Sequence, residues 1–304
     1  MTARTERVAG AGPGAIAPPA ATAASAHPER GARAASARSR ETQTAALAYD
    51  LATIRVLWRR DLVRFFRQPS RLAGALGQPV IFWLLIGSGM SGTFRLPGSG
   101  MGYLQFFYPG VVLMVVLFAA IFTTVSVIED RHRGFLQAVQ AGPGSRGALV
   151  IGKALGSASV ALSQAALFLA LAPAAGFPLL GVNWPLLLAA LALTAVGLAA
   201  LGFAVAWAVD NVQGYHAIQM TLLVPLWVVS GAMFPPAPDR PGFAAVMRAD
   251  PLAYAVSAAR RALGGPDAPG ALPGSAARDL AVVAAFAAAS LALAIAVTRR
   301  RDAR

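Results

Sequence analysis

The sequence predicts an all-α integral membrane protein, and three observations carry that prediction. Of 304 residues, 57% are hydrophobic and 13% charged, with a mean hydropathy of +0.59, whereas soluble domains are about a quarter charged. Six apolar stretches lie at about 72–90, 106–128, 148–171, 185–209, 217–234 and 280–298, each near the ~20 residues that carry a helix across ~30 Å of hydrocarbon. None has an acidic residue in its interior. Backbone groups in lipid must be paired within their own segment, so continuous runs of this length form helices.

The formal charge of +13 comes from 26 basic and 13 acidic residues, and every basic residue except Lys153 is arginine. Such a balance suggests nucleic acid, but a nucleic-acid binder spreads its basic residues over one face. Here they collect at the ends of apolar runs, so no nucleic-acid partner is expected. With no cysteine, disulfides and thiolate chemistry are excluded. His27, His132 and His216 lie far apart in unlike contexts, and no metal site is predicted.

Residues 1–45 are rich in Ala, Pro, Ser, Gly and Arg with no apolar period, and are expected to form a disordered cytoplasmic tail. Residues 46–70 change character. Leu47, Leu51, Ile54, Trp58, Leu62 and Phe65 recur at helical steps, with Asp50, Arg55, Arg59, Arg60, Asp61, Arg64 and Arg67 on the opposite side. That build predicts an amphipathic helix lying in the membrane surface. Residues 71–300 then form the transmembrane domain of six spans.

Basic residues fall unequally on the two sides of those spans, twenty against six, and the richer side is expected to be cytoplasmic. The chain is thereby expected in the inner (plasma) membrane with both termini on its cytoplasmic side. The stretch from Pro235 to Asp279 is long for a loop. Arg248 and Asp250 would sit near the middle of any further span there, so short helices dipping into the outer leaflet are expected before the last span.

Two stretches could carry chemistry. Gly147 to Ala154 reads G-A-L-V-I-G-K-A, one residue from a phosphate-binding loop, but Ala154 supplies no hydroxyl for magnesium. The better reading places Lys153 near the cytoplasmic face and makes Gly152 and Gly156 a small-residue face for close helix contact. The other stretch is Glu129-Asp130-Arg131-His132-Arg133-Gly134-Phe135-Leu136, running on through Gly142-Pro143 to Gly152-Lys153. From the residues alone two readings stand, a small helix presented for docking and a basic flank with surface ion pairs.

The order E-D-R-H-R-G-F-L, then Gly-Pro, then Gly-Lys opening a span resembles the membrane subunit of ABC transporters of the ABC-2 type (type V exporter) family. Pro225 to Pro235 is similar to that family's fifth span and its exit. Asp250-Pro251-Leu252-Ala253-Tyr254 with Arg260 resembles its Asn-Pro-Leu-x-Tyr segment and following arginine, with Asp250 in place of Asn. The likeness covers about residues 47–300. It implies an ABC-type ATPase as a separate partner that carries ATP and Mg, with no cofactor on this chain and no enzyme activity of its own. It also implies a second permease copy, identical or related. The ATPase-coupling residues would be Arg59, Arg60, Arg64, Glu129, Asp130, Arg131, Arg133 and Gly134.

Phe82, Trp83, Gln219, Pro225 and Trp227 are candidates for the pathway or dimer interface, although aromatics in spans are more often packing or interface residues. The spans hold no fixed charge to select an ion, so a hydrophobic or amphiphilic cargo such as a drug, antibiotic or lipid is expected. A lipid-linked glycan is the alternative cargo. An ion-coupled secondary carrier is the alternative mechanism, but it needs an ionisable centre near mid-membrane, and a membrane-embedded enzyme needs converging catalytic groups. The sequence offers neither.

Overall fold

The computed structural model describes residues 27–92, 100–236 and 240–301. Residues 1–26 of the expected tail, and Arg95, lie outside them. The chain divides into two compact units, Met1–Ala45 and Ala46–Arg304. Among the described residues all regular structure is helical.

Helix α1 (His27–Phe66) begins within the stretch expected to be disordered. Its Ala, Arg and Glu residues favour helix by intrinsic propensity. Within residues 46–66 the buried face overlaps the anticipated stripe only in part, at Phe65 and the half-buried Ile54 and Leu62. Leu57, Asp61 and Phe65 are buried, whereas Leu47, Leu51 and Trp58 are exposed. The helix therefore packs through a line that includes a carboxylate and leaves Leu47 and Leu51 exposed, while Trp58 donates its Nε1 to Ser159 of the helix Arg146–Leu169 at 2.9 Å.

Helix α2 (Pro69–Gly89) starts with proline at its first position, where the missing N–H costs nothing. Helix α3 (Tyr103–His132) is the hub, with a mostly buried surface. It stops where Gly134 takes a left-handed backbone (φ 74°), which turns the chain into the short helix α4 (Phe135–Gln140) anticipated there. Ser145 caps α5 (Arg146–Leu169), accepting the Ala148 N–H at 3.1 Å, and donates its own N–H and hydroxyl to Asp50 of α1 at 2.6 and 2.8 Å. Asn183 and Asn211 cap α6 (Trp184–Ala208) and α7 (Val212–Trp227) in the same way.

A π-helical turn, Val228–Ala232, follows α7 and ends the span. Two helices too short to cross a bilayer come next, α8 (Pro241–Ala249) and α9 (Pro251–Gly264). The last is α10 (Ala276–Arg301), which packs on α6 and leaves most of its apolar surface uncovered. Five helices among the described residues are long and apolar enough to cross a membrane, namely α3, α5, α6, α7 with its π turn, and α10. Helix α2 is apolar over the shorter stretch Gly74–Gly89.

Asp250 caps α9 through Oδ1, which accepts the Leu252 N–H at 2.8 Å, while its Oδ2 is buried without a hydrogen-bond partner. Burial pushes this carboxyl up to about 7. A carboxyl raised in the folded state supports folding fully at pH values below the unfolded pKa near 4. That support fades as pH climbs toward 7. Asp250→Asn, the residue of the family pattern, keeps the Oδ1 acceptor and removes the charge. We expect it to be more stable than the parent at pH 8 by on the order of 2 kcal/mol, with the difference shrinking at pH 5. Melting temperatures in detergent at the two pH values measure this.

Candidate functional site

The basic end of the bundle gathers charges from three helices. Arg60 of α1 donates two hydrogen bonds to Asp130 of α3, both at 2.7 Å, the fork geometry that makes guanidinium–carboxylate pairs strong. Arg64 donates to Glu129 at 2.5 Å, and Arg133 lies 3.9 Å from the same carboxylate. The Arg60 guanidinium also stacks 3.8 Å over the ring of Phe135, the first residue of α4. Its hydrogen bonds to Asp130 raise the Arg60 pKa further, against the pull of desolvation.

Lys153 of α5, expected near the cytoplasmic face, belongs to this cluster and is 1% exposed, packed against α1 and α3. Its Nζ donates to Asp130 at 2.6 Å and to Asp61 at 3.1 Å. Gly152 and Gly156 form the anticipated close-contact face, and its partner is α1. A Cβ at Gly152 would lie 3.1 Å from the Ile54 Cα, and one at Gly156 would lie 3.0 Å from the Asp61 Cβ. Asp61, read from the sequence as part of an exposed polar side, is 9% exposed. Burial raises its carboxyl pKa, with Lys153 and then Arg60 pulling it down.

The structure thus brings Arg60, Arg64, Glu129, Asp130 and Arg133 together and adds Asp61 and Lys153. Arg59 does not join this cluster. It lies with Arg60, Arg64, Arg67 and Arg133 along an open cleft of about 790 Å³ on the outer side of α1. Arg131 points elsewhere, donating to the carbonyls of Trp207 and Val209 at 3.0 and 2.5 Å and pairing with Asp210 at 3.1 Å. A cation there satisfies the free carbonyls at the C-terminus of α6. Gly134 supplies the turn and no contact chemistry.

The interface candidates scatter. Trp83 and Trp227 are buried packing residues whose Nε1 groups donate to the carbonyls of Leu104 and Gly110, both at 2.9 Å. Phe82 packs against Phe107 and Trp227, with ring centres 5.8 and 6.1 Å away. Gln219 is buried beside Tyr215, and Pro225 is exposed just before the π turn.

Sequence reasoning missed a cavity of about 490 Å³ between α2, α3, α5 and α7. Phe118, Phe122 and Pro79 give it apolar walls; Gln78, Thr123, Gln164 and His216 add polar groups. At the basic end it reaches Phe65 of α1 and Glu129. A few polar groups in a largely apolar wall suit an amphiphile of moderate size. Phe118 and Phe122 stack at 6.1 Å between ring centres, and His216 lies 5.7 Å from Phe122. Their helical spacing reads as ordinary span packing until α2 and α7 are placed opposite.

Comparison with known proteins agrees with this architecture. The profile of the family described as ABC-2 type transporter matches residues 52–263, well over half of the chain. The daunorubicin resistance ABC transporter permease protein DrrB1 of Streptomyces coeruleorubidus is 27% identical over 227 residues, covering 70% of this chain and 75% of that protein. Nodulation protein J of Rhizobium leguminosarum bv. trifolii is 28% identical over 185 residues, 59% of this chain and 69% of that protein. The transport permease ycf38 of Cyanophora paradoxa is 30% identical over 89 residues, 29% of this chain, so that this match spans 31% of the relative's length. An all-helical bundle with several apolar spans, matched over most of its length by a transporter profile, leaves one assignment: the chain belongs to the ABC-2 type transporter family and is a membrane permease.

Proposed function

We propose that this permease forms the transmembrane path of an ATP-driven exporter for a hydrophobic or amphiphilic compound, with ATP and Mg held by a separate ATPase subunit. The observation that carries the proposal is continuity. Arg64 lines the arginine cleft on the outside of α1, its partner Glu129 lines the cavity on the inside, and one 2.5 Å hydrogen bond joins them. A partner that grips the cleft would move a wall of the cavity. The relative named for daunorubicin resistance supports a drug-like cargo.

In this reading α2 completes six spans, both termini are cytoplasmic, and α8 and α9 are re-entrant helices in the outer leaflet of the inner membrane. The uncovered apolar faces of α2 and α7, with Leu84, Leu85, Ile218 and Leu222 exposed, would meet lipid or a second permease copy. The domains are then the tail 1–45, the interfacial helix 46–70 and the transmembrane region 71–300.

The test is the pair Glu129→Ala and Arg133→Ala in one chain. Both residues are partly exposed, at 30% and 64%, so membrane insertion and expression should hold while export falls by about tenfold or more. Unchanged export at parental protein levels would remove the coupling role.

A further inference from the structure

The cluster around Lys153 contains two buried polar atoms with nothing to bind. Asp61 Oδ2 has no donor, and Arg64 Nη1 has no acceptor within hydrogen-bond distance. Unsatisfied groups of this kind are rare in folded proteins and need a reason. Here both sit in one charge cluster with alternative pairings close by. Arg64 Nη1 is 3.7 Å from Asp130 Oδ1, and Arg60 Nη1 is 3.9 Å from Asp61 Oδ1, the oxygen that Lys153 also reaches.

A second arrangement of the same charges lies close to the first. Arg60 would leave Asp130 for Asp61, and Arg64 would take the vacated place on Asp130. Lys153, which already reaches both carboxylates, would hold them throughout. No charge need stand unpaired during the exchange, which matters because an uncompensated buried charge is costly. The glycines at 152 and 156 leave α1 in contact with α5 with no side chain of α5 interlocked at those two positions.

Resting on the reading that α1 receives motion from a partner ATPase, we propose that Arg60, Asp61, Arg64, Asp130 and Lys153 form a two-position electrostatic ratchet. Through it, a shift of α1 is passed to α3 and α5, with Lys153 as the fixed pivot. The observed state is one position, and the swapped pairing is the other. Buried ion pairs add little stability relative to apolar packing, so a cluster serving the fold alone could be replaced pairwise without loss of transport.

The experiment uses the permease with its ATPase in proteoliposomes, loaded with a fluorescent amphiphilic dye that the parent exports. Asp61→Asn and Lys153→Met are made singly and together. The double variant removes one charge of each sign and should melt within a few degrees of the parent. Its dye transport per ATP hydrolysed should fall by about tenfold, in the range for lost coupling between sites.

Because the chain has no cysteine, spin labels at Arg55→Cys and Ala138→Cys report the α1–α4 distance directly. That distance should shift on ATP addition in the otherwise parental chain and stay fixed in the double variant. Parental transport per ATP together with a parental distance shift in the double variant would overturn the ratchet and leave the exporter reading intact. A parental complex that exports no amphiphile at all would overturn both.

Discussion

Asp130→Ala should be the most damaging single change at the basic end, with an expected loss of about 3–5 kcal/mol of stability. Asp130 is 0% exposed and accepts from Arg60 twice and from Lys153 once. Without it Arg60, 31% exposed, can turn toward water, but Lys153 cannot and keeps only Asp61 as a counter-charge. The reverse truncation, Arg60→Ala, should cost much less, because Asp130 would retain Lys153. Thermal unfolding in detergent, followed by size-exclusion of the heated samples, ranks the two. Equal losses would mean that Lys153 is not the residue stranded.

Gly110→Val should disrupt the opposite end to a comparable degree. A Cβ at Gly110 would lie 2.7 Å from the Ala232 carbonyl oxygen and 2.8 Å from its Cα, and backbone cannot step aside as a side chain can. Around this contact Trp227 donates to the Gly110 carbonyl at 2.9 Å and Tyr103 to the Met233 carbonyl at 3.1 Å. Arg260 donates to the Gly231 and Gly270 carbonyls at 2.7 and 2.5 Å. Forcing α3 away from the end of α7 loosens the two bonds that join them directly, Trp227 to Gly110 and Tyr103 to Met233. Overpacking alone costs about 1–3 kcal/mol, and the lost hydrogen bonds add roughly 1 kcal/mol each. Gly89→Ala, where a Cβ meets nothing within 4 Å, is the control and should be neutral or slightly stabilising. Yield of monodisperse protein after solubilisation separates the two variants.

The spans were legible because lipid imposes one rule on the backbone, and an apolar run long enough has one solution. Their ends moved by several residues where a cap decided them. The sequence reading began the fifth span at 217, whereas Asn211 caps α7 and draws Val212 and its neighbours into the helix. A helix stands over residues 46–66, but only part of its buried side was read. Trp58 looks like a core residue by type and Asp61 like a surface one, yet Leu57 and Asp61 face α5 because Lys153 waits there with a charge to be neutralised. Periodicity reports which residues share a face, and only the partner helix says which face is buried. The charged run from Glu129 to Gly134 was legible as a motif, whereas the separate place of Arg131 at the end of α6 depended on where α6 stops. The one signal for Lys153 was that it is the chain's single lysine, a flexible stem able to reach two carboxylates on different helices.

The central claim is that this permease moves cargo with an engine carried on another polypeptide. Purified chain, alone and with its partner ATPase, is reconstituted in vesicles, and uphill accumulation of an amphiphilic dye is followed after ATP addition. Accumulation that requires both chains and ATP is the predicted result. Accumulation by the chain alone, with or without ATP, would contradict the account.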